Sequence, residues 1–354
     1  MQMPKPLTDL LRETSRSFYL TLLVLPARVR PQIGLAYLLA RTTDTIADTE
    51  ILPVAQRLGA LQQLRGRILG QNSGPLDFGE FARHQGLVSE KMLLEKVEDS
   101  LAALLTLSPE DLKLVREVLA TITGGQELDL RRFAGSADAP AARDAHPLPQ
   151  KIIALETDAQ LDDYTFRVAG CVGGFWTKMC RAHLFPKARL DEKQLIADGV
   201  RFGKGLQLVN ILRDLPSDLN KGRCYLPLDK LEPAKLFPEI LLSPAREKQF
   251  LALFRGYLDE AEAHLAAGWR YTNAMPFAQV RVRLACAWPV LIGVKTIEKL
   301  RVANVMDLRR HVKISHTERN GILLRSILAC PLPFVWKRLF PAARKAVASG
   351  GELA

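Results

Sequence analysis

Apolar residues recur at helical spacing along nearly the whole chain. They predict helices over residues 9–24, 32–49, 54–69, 89–106, 109–130, 158–182, 191–214, 244–271, 276–301 and 319–340. Between them stand Pro- and Gly-rich breaks such as "GQNSGPLDFG", "AGSADAPAARDAHPLP" and "NKGRCYLPLDKLEP". No alternating pattern long enough for a strand is present, and no internal repeat, low-complexity tract or long linker. The inner helices are apolar on most sides, as in a bundle that buries them. The pattern therefore predicts one all-α domain, a helical bundle around a central apolar cavity, over residues 1–318. Residues 319–354 form a separate basic, amphipathic C-terminal segment.

Two helices end in a way a buried helix should not. "IGLAYLLARTTDTIADTE", residues 33–50, carries Asp44 and Asp48 four apart, with Arg41 one turn before. At 3.6 residues per turn the two carboxylates share a face and repel unless a cation lies between them. "GLQLVNILRDLPSD", residues 205–218, repeats the device with Asp214 and Asp218, Asn210 one turn earlier and Arg213 adjacent. One such pair reads as a solvated helix end. Two, each closing an apolar helix beside an arginine, predict carboxylate faces opposed across a bundle, with room for several Mg²⁺ ions. Mg²⁺ takes hard oxygen ligands, one or two carboxylates plus phosphate oxygens, and neutralises the charge on a departing diphosphate. Pro216 lies between Asp214 and Asp218. A proline inside a helix removes a backbone bond and kinks it, so Asp218 is expected to turn away from the face of Asp214.

Charge and cysteine content narrow the classes. The 354 residues carry a formal charge of +11, with basic residues dense toward the C-terminus. Nucleic acid, a membrane surface or an anionic small substrate could account for this. No aromatic-plus-basic RNA signature and no zinc finger occurs, so no nucleic-acid partner is expected. The five cysteines form no CxxC pair, which fits neither a disulfide framework nor a zinc site and suits a reducing cytosol. "MQMPKPLTDLLRETSRSFYL" has charges throughout and does not read as a secretory leader.

Five blocks together resemble the squalene/phytoene synthase family of head-to-head prenyl transferases over roughly residues 10–315. They are "SRSFYL" (15–20), "AYLLARTTDTIAD" (36–48), "GGQELDL" (124–130), "YTFRVAGCVG" (164–173) and "QLVNILRDLPSDLNKGRCYLP" (207–227). Thr45 stands where phytoene synthases commonly have the second aspartate of DDxxD, and "RRHVKIS" (309–315) resembles a segment near the end of squalene synthases. Both features lean toward a bacterial squalene synthase, whereas "GRCYLP" reads more like the phytoene branch.

The resemblance implies an isoprenoid-synthase-type bundle and the condensation of two farnesyl diphosphates through presqualene diphosphate, with reduction by NADPH to squalene. Asp44, Asp48, Asp214, Asp218 and Asn210 would hold Mg²⁺. Arg41, Arg213 and Arg223 would grip phosphate oxygens through the bidentate fork of a guanidinium. Tyr164 is the candidate base, assisted by Tyr37, and would need a cationic setting because a phenol has a pKa near 10. Ser15, Arg16, Phe18, Gln207 and Tyr225 complete the implied substrate contacts. No GxGxxG follows a strand, so NADPH would need an improvised cleft, with Ser15, Arg16, Phe18, Asn210 and Lys313 as candidates. In "GQELDL", Glu127 and Asp129 either orient the second substrate or pair with Arg131 and Arg132.

"GILLRSILACPLPFVWKRLF", residues 321–340, is too interrupted by charge and proline to span a bilayer. Either it lies in the membrane interface with Phe334, Trp336 and Phe340 inserted, or it packs on the core. A protein in the cytoplasm, peripheral on the inner face of the membrane, is expected. The alternatives are a phytoene or dehydrosqualene synthase lacking the reductive step, and a non-catalytic membrane-associated scaffold.

Overall fold

A computed structural model describes residues 4–15, 18–136, 151–241, 243–303 and 312–340. The chain is all-α as expected. In order, the helices are α1 (Lys5–Thr14), α2 (Phe18–Val24), α3 (Arg30–Ala47), α4 (Val54–Leu69), α5 (Gly79–Arg83), α6 (Val88–Glu95), α7 (Val97–Leu104) and α8 (Pro109–Arg132). They continue with α9 (Asp158–Thr165), α10 (Cys171–His183), α11 (Glu192–Asn220), α12 (Leu228–Leu231), α13 (Glu247–Ala274), α14 (Val280–Val302), α15 (His316–Ala329) and α16 (Pro333–Lys337). A π-helical stretch, Phe166–Gly170, joins α9 to α10.

Two apolar clusters make the core. One gathers α3, α4 and α8 with α1 and α10; the other gathers α11, α13 and α14 with the closing helices. Helices α10 and α11 touch backbone to backbone. A Cβ added at Gly173 would run into the Gly199 carbonyl, and one at Gly203 into that of Ala169. Gly173, and less tightly Gly170, thus serve close helix packing, which offsets the roughly 1 kcal/mol a helical glycine costs, whereas a Cβ at Gly174 would meet only Ile196 at an ordinary distance.

Three predicted helices are divided. Residues 9–24 break at Ser15, and 89–106 break at Lys96, which has φ −103° and ψ 21°. Residues 319–340 divide at Cys330–Leu332, where Pro331 and Pro333 forbid continuation. The expected kink at Pro216 does not turn Asp218 away. Helix α11 runs through the proline to Asn220 and is closed by the Lys221 N–H on the Ser217 and Asp218 carbonyls. With barely one turn beyond the proline, little ladder is lost.

A two-residue parallel ladder that the pattern did not predict pairs β1 (Ile153–Ala154) with β2 (Arg223–Cys224). The chain turns from α11 into β2 at Gly222, whose φ of +72° is the left-handed conformation a glycine allows. That turn and ladder fix Arg223 and Tyr225.

The C-terminal aromatics divide between the two expectations. Trp336 and Phe340 are buried, both stacked on Trp269, with ring centroids 5.3 and 5.9 Å away, and the Trp336 indole donates to Asn273 Oδ1 at 2.9 Å. They are not available for membrane insertion; Phe334 is exposed. Among the described residues no helix is long and apolar enough to cross a membrane.

Candidate active site

A cavity of about 740 Å³ opens between α3 and α11, with α8, α9 and β2 closing its sides. From α3 and its C-cap come Tyr37, Arg41, Asp44 and Asp48. From α11 come Gln207, Asn210, Arg213, Asp214 and Asp218. Ser15 and Phe18 enter from the α1–α2 junction, Tyr164 from α9, and Arg223 and Tyr225 from β2 and the residue after it. Two of the sequence candidates are not placed there. Arg16 lies outside the described residues, and Lys313 is exposed on the segment before α15, outside the cavity lining.

The two aspartate motifs are built alike. Arg41 grips Asp44 at 2.5 Å and Glu90 at 2.7 Å. Arg213 forks onto both oxygens of Asp214, at 2.8 and 2.6 Å. The second aspartate of each pair feels mainly burial and its own partner. Burial and the Asp44 charge push Asp48 up to about 7, against Lys221, Arg41 and Arg223. Burial and the Asp214 charge likewise push Asp218 up to about 7, against Lys221 and Arg223. Asp44 is also raised, burial outweighing the pull of Arg41. The protein alone therefore leaves negative charge poorly compensated at the cavity mouth, a setting that draws protons or cations.

One cavity residue was left unresolved by the sequence. Asp129 faces inward from α8, where Tyr225 Oη donates to both its oxygens at 3.1 Å, and burial raises it to about 6. Glu127 instead pairs with Arg65 and Arg131 at 3.3 and 3.6 Å. Residues two apart on a helix point to opposite sides, a signal that separates the two acids without a structure. The Tyr164 ring stacks on Tyr225 at 4.7 Å. Burial, then Asp129, Asp218 and Asp44, hold the Tyr164 hydroxyl far above the ordinary phenol range. The cationic setting expected for Tyr164 is not supplied by protein groups; without a bound cation its neutral phenol is favoured. Deeper in, the Phe18 and Tyr37 rings stack at 4.8 Å, and Ile122, Leu130, Val168 and Val172 give apolar walls.

The residues fit Mg²⁺. Every charged donor at the mouth is a carboxylate oxygen, and Asn210 adds an amide. Among the described residues, no three His, Cys, Asp or Glu side chains converge closely enough to cage an ion. Ions here would complete their coordination with diphosphate oxygens and water. The buried Oε1 of Gln126 and Nε of Arg223, both on residues of the cavity wall, have no hydrogen-bond partner within the protein.

A helical bundle around an apolar cavity with paired aspartates and arginines at its mouth has the chemistry to hold divalent cations and phosphate oxygens beside an apolar chain. The chain belongs to the squalene/phytoene synthase family, whose profile matches residues 11–318. Members are head-to-head prenyl transferases of isoprenoid biosynthesis and use Mg²⁺ to bind prenyl diphosphates. The chain is 30% identical over 238 residues to a bifunctional lycopene cyclase/phytoene synthase of Phaeosphaeria nodorum, covering 66% of this chain and 36% of that protein. It spans only 36–40% of the length of this and two similar bifunctional relatives. A presqualene diphosphate synthase of Sinorhizobium fredii is 29% identical, with 88% of this chain and 93% of that protein covered. Among solved structures, a ligand complex of TcSQS shares the fold at a TM-score of 0.72 and 19% identity, over 95% of this chain and 90% of that one. A dehydrosqualene synthase shares it at 0.59 and 20%, over 91% and 94%.

Proposed function

We propose that the protein condenses two molecules of farnesyl diphosphate head-to-head to presqualene diphosphate and, with NADPH, reduces this to squalene. The observation that carries the condensation is the pair of Arg–Asp motifs, on α3 and α11, facing one cavity with apolar walls. Asp44, Asp48, Asp214, Asp218 and Asn210 are the residues that would hold Mg²⁺, which when bound supplies charge neutralisation of the diphosphates. Arg41, Arg213 and Arg223 orient phosphate oxygens. The apolar walls around Ile122, Val168 and Val172 keep water from the allylic cation. Tyr164, neutral and stacked on Tyr225, holds a hydroxyl among the substrates and can relay to the departing diphosphate the proton lost from carbon as that C–H electron pair closes the cyclopropane. The near full-length likeness to a presqualene diphosphate synthase supports the C15 substrate. The reductive step rests on the resemblance of the first and last motifs, with Ser15, Phe18 and Asn210 as the nicotinamide contacts inside the cavity.

A second reading, phytoene synthesis from a C20 diphosphate, is favoured by "GRCYLP" and by phytoene synthase relatives such as that of Synechocystis, 27% identical over 277 residues. Incubation with farnesyl or geranylgeranyl diphosphate and Mg²⁺, with and without NADPH, separates them. Presqualene diphosphate without NADPH and squalene with it are expected. Dehydrosqualene regardless of NADPH removes the reductive step, and phytoene from the C20 substrate alone overturns the C15 assignment.

A further inference from the structure

Helices α15 and α16 present an apolar ridge to solvent. Leu324, Ile327, Leu328, Leu332, Phe334 and Val335 are all exposed, Leu328 to 65% and Phe334 to 67%. Single exposed apolar residues need no explanation; six within twelve residues form a patch of the kind that marks an interaction surface. On α15, Leu324, Ile327 and Leu328 stand at i, i+3 and i+4, on one stripe. The opposite side of the helix is fastened to α14, where the Trp288 indole donates to Ser326 Oγ at 2.8 Å. The ridge is therefore held rigidly outward.

Its surroundings are basic. Arg325, Lys337 and Arg338 are exposed beside it, and residues 319–340 contain four Lys or Arg and no Asp or Glu. The Arg338 guanidinium lies 3.8 Å from the centroid of the Phe334 ring, so a cation and an aromatic sit at one level. We propose that this face docks on an anionic bilayer surface. The leucine, phenylalanine and valine side chains enter the headgroup–acyl boundary, and the arginines and lysine meet lipid phosphates. An acidic protein surface would satisfy the cations but not the protruding apolar ridge.

The position of the ridge fits a lipid occupant. A side cavity of about 330 Å³ lies beneath α15, between α2, α11 and α14, with Leu206, Ile292 and Leu323 in its lining. Phe18, Asn210 and Arg213 line both this cavity and the active-site cavity. The inference does not depend on which product the site forms.

The test is flotation of the full chain with vesicles of phosphatidylcholine alone or with about one-third phosphatidylglycerol. Binding to the anionic vesicles is expected, falling with added salt and about fivefold for each of Arg325→Gln, Lys337→Gln and Arg338→Gln. The double variant Leu328→Glu/Phe334→Glu should lose binding by more than tenfold while its unfolding temperature and its diphosphate release from prenyl diphosphate in solution stay unchanged. Both positions are solvent-exposed, and the charge variants test the same face should the double variant misfold. Failure of the folded wild type to bind anionic vesicles overturns the proposal, as does equal binding by the double variant. So does a solution dimer that the double variant dissolves, which would make the ridge a contact between two copies.

Discussion

Replacing Asp218 by Asn should stabilise the metal-free protein and disable the enzyme at once. Asp218 is pushed up to about 7 from an ordinary value of 3.8 by burial and by Asp214. At about 1.4 kcal/mol per unit, that displacement bounds the cost of ionising it in the fold at about 4 kcal/mol. Water reaching the cavity screens the group and reduces this to about 1–2 kcal/mol. Between pH 4 and pH 7 the folded state holds a proton that the unfolded state has released, so metal-free stability falls as pH rises across that window. An asparagine side chain at this position carries no charge and removes this loss. In EDTA at pH 7.5 the variant should melt about 1–5 °C higher than the wild type, and at pH 4.5 the gap should close. Mg²⁺ should raise the melting temperature of the wild type and much less that of the variant. Turnover of the proposed substrate, farnesyl diphosphate, should fall by more than the 10–100-fold that loss of an outer metal-site partner costs. A variant less stable than the wild type in EDTA at pH 7.5, or one that keeps full turnover, would show that Asp218 is not an uncompensated carboxylate of the metal-binding mouth.

Other outcomes follow from the same geometry. Because burial and a neighbouring carboxylate push Asp48 and Asp218 up to about 7, and burial pushes Asp129 up to about 6, protons compete with cations, and calorimetric Mg²⁺ affinity should climb from pH 5.5 to about 7.5; equal affinity at both ends refutes this. Tyr225→Phe removes the donor to both oxygens of Asp129 and should cost about 1–3 kcal/mol in urea unfolding, and an unchanged midpoint would count against that contact. Gly173→Ala drives a methyl into the Gly199 carbonyl and should destabilise by about 3 kcal/mol or more, since backbone on both sides cannot yield; a melting temperature within 1 °C of wild type would show that α10 and α11 can part.

The bundle was legible because helical periodicity runs through almost every element, and the site because carboxylates on an apolar helix have few structural uses. Fourteen of the sixteen sequence candidates, from Ser15 to Tyr225, line one cavity. What escaped was set by contacts distant in sequence. The break at Lys96 carries no glycine or proline, and the apolar pattern runs straight across it. The β1–β2 ladder joins residues 70 apart and holds only two pairs, too few for an alternating pattern. Trp336 and Phe334 look alike as aromatic neighbours of basic residues, yet only Trp336 meets Trp269. Lys313 entered through the motif around it rather than through any periodicity, and it stands outside the cavity.

The π-helical turn at Phe166–Gly170 sets the phase between two helices that answer to different partners. Ahead of it, α9 must aim Tyr164 at Tyr225; behind it, α10 must aim Gly173 at Gly199. An unbroken α-helix would fix the angle between those directions at 100° per residue. The wider turn lets one residue slip between them, so it acts as a gear tooth that brings both faces into mesh. Excising a single residue from this stretch would leave its hydrophobicity nearly intact. It would swing Tyr164 about a quarter of a turn away from the cavity.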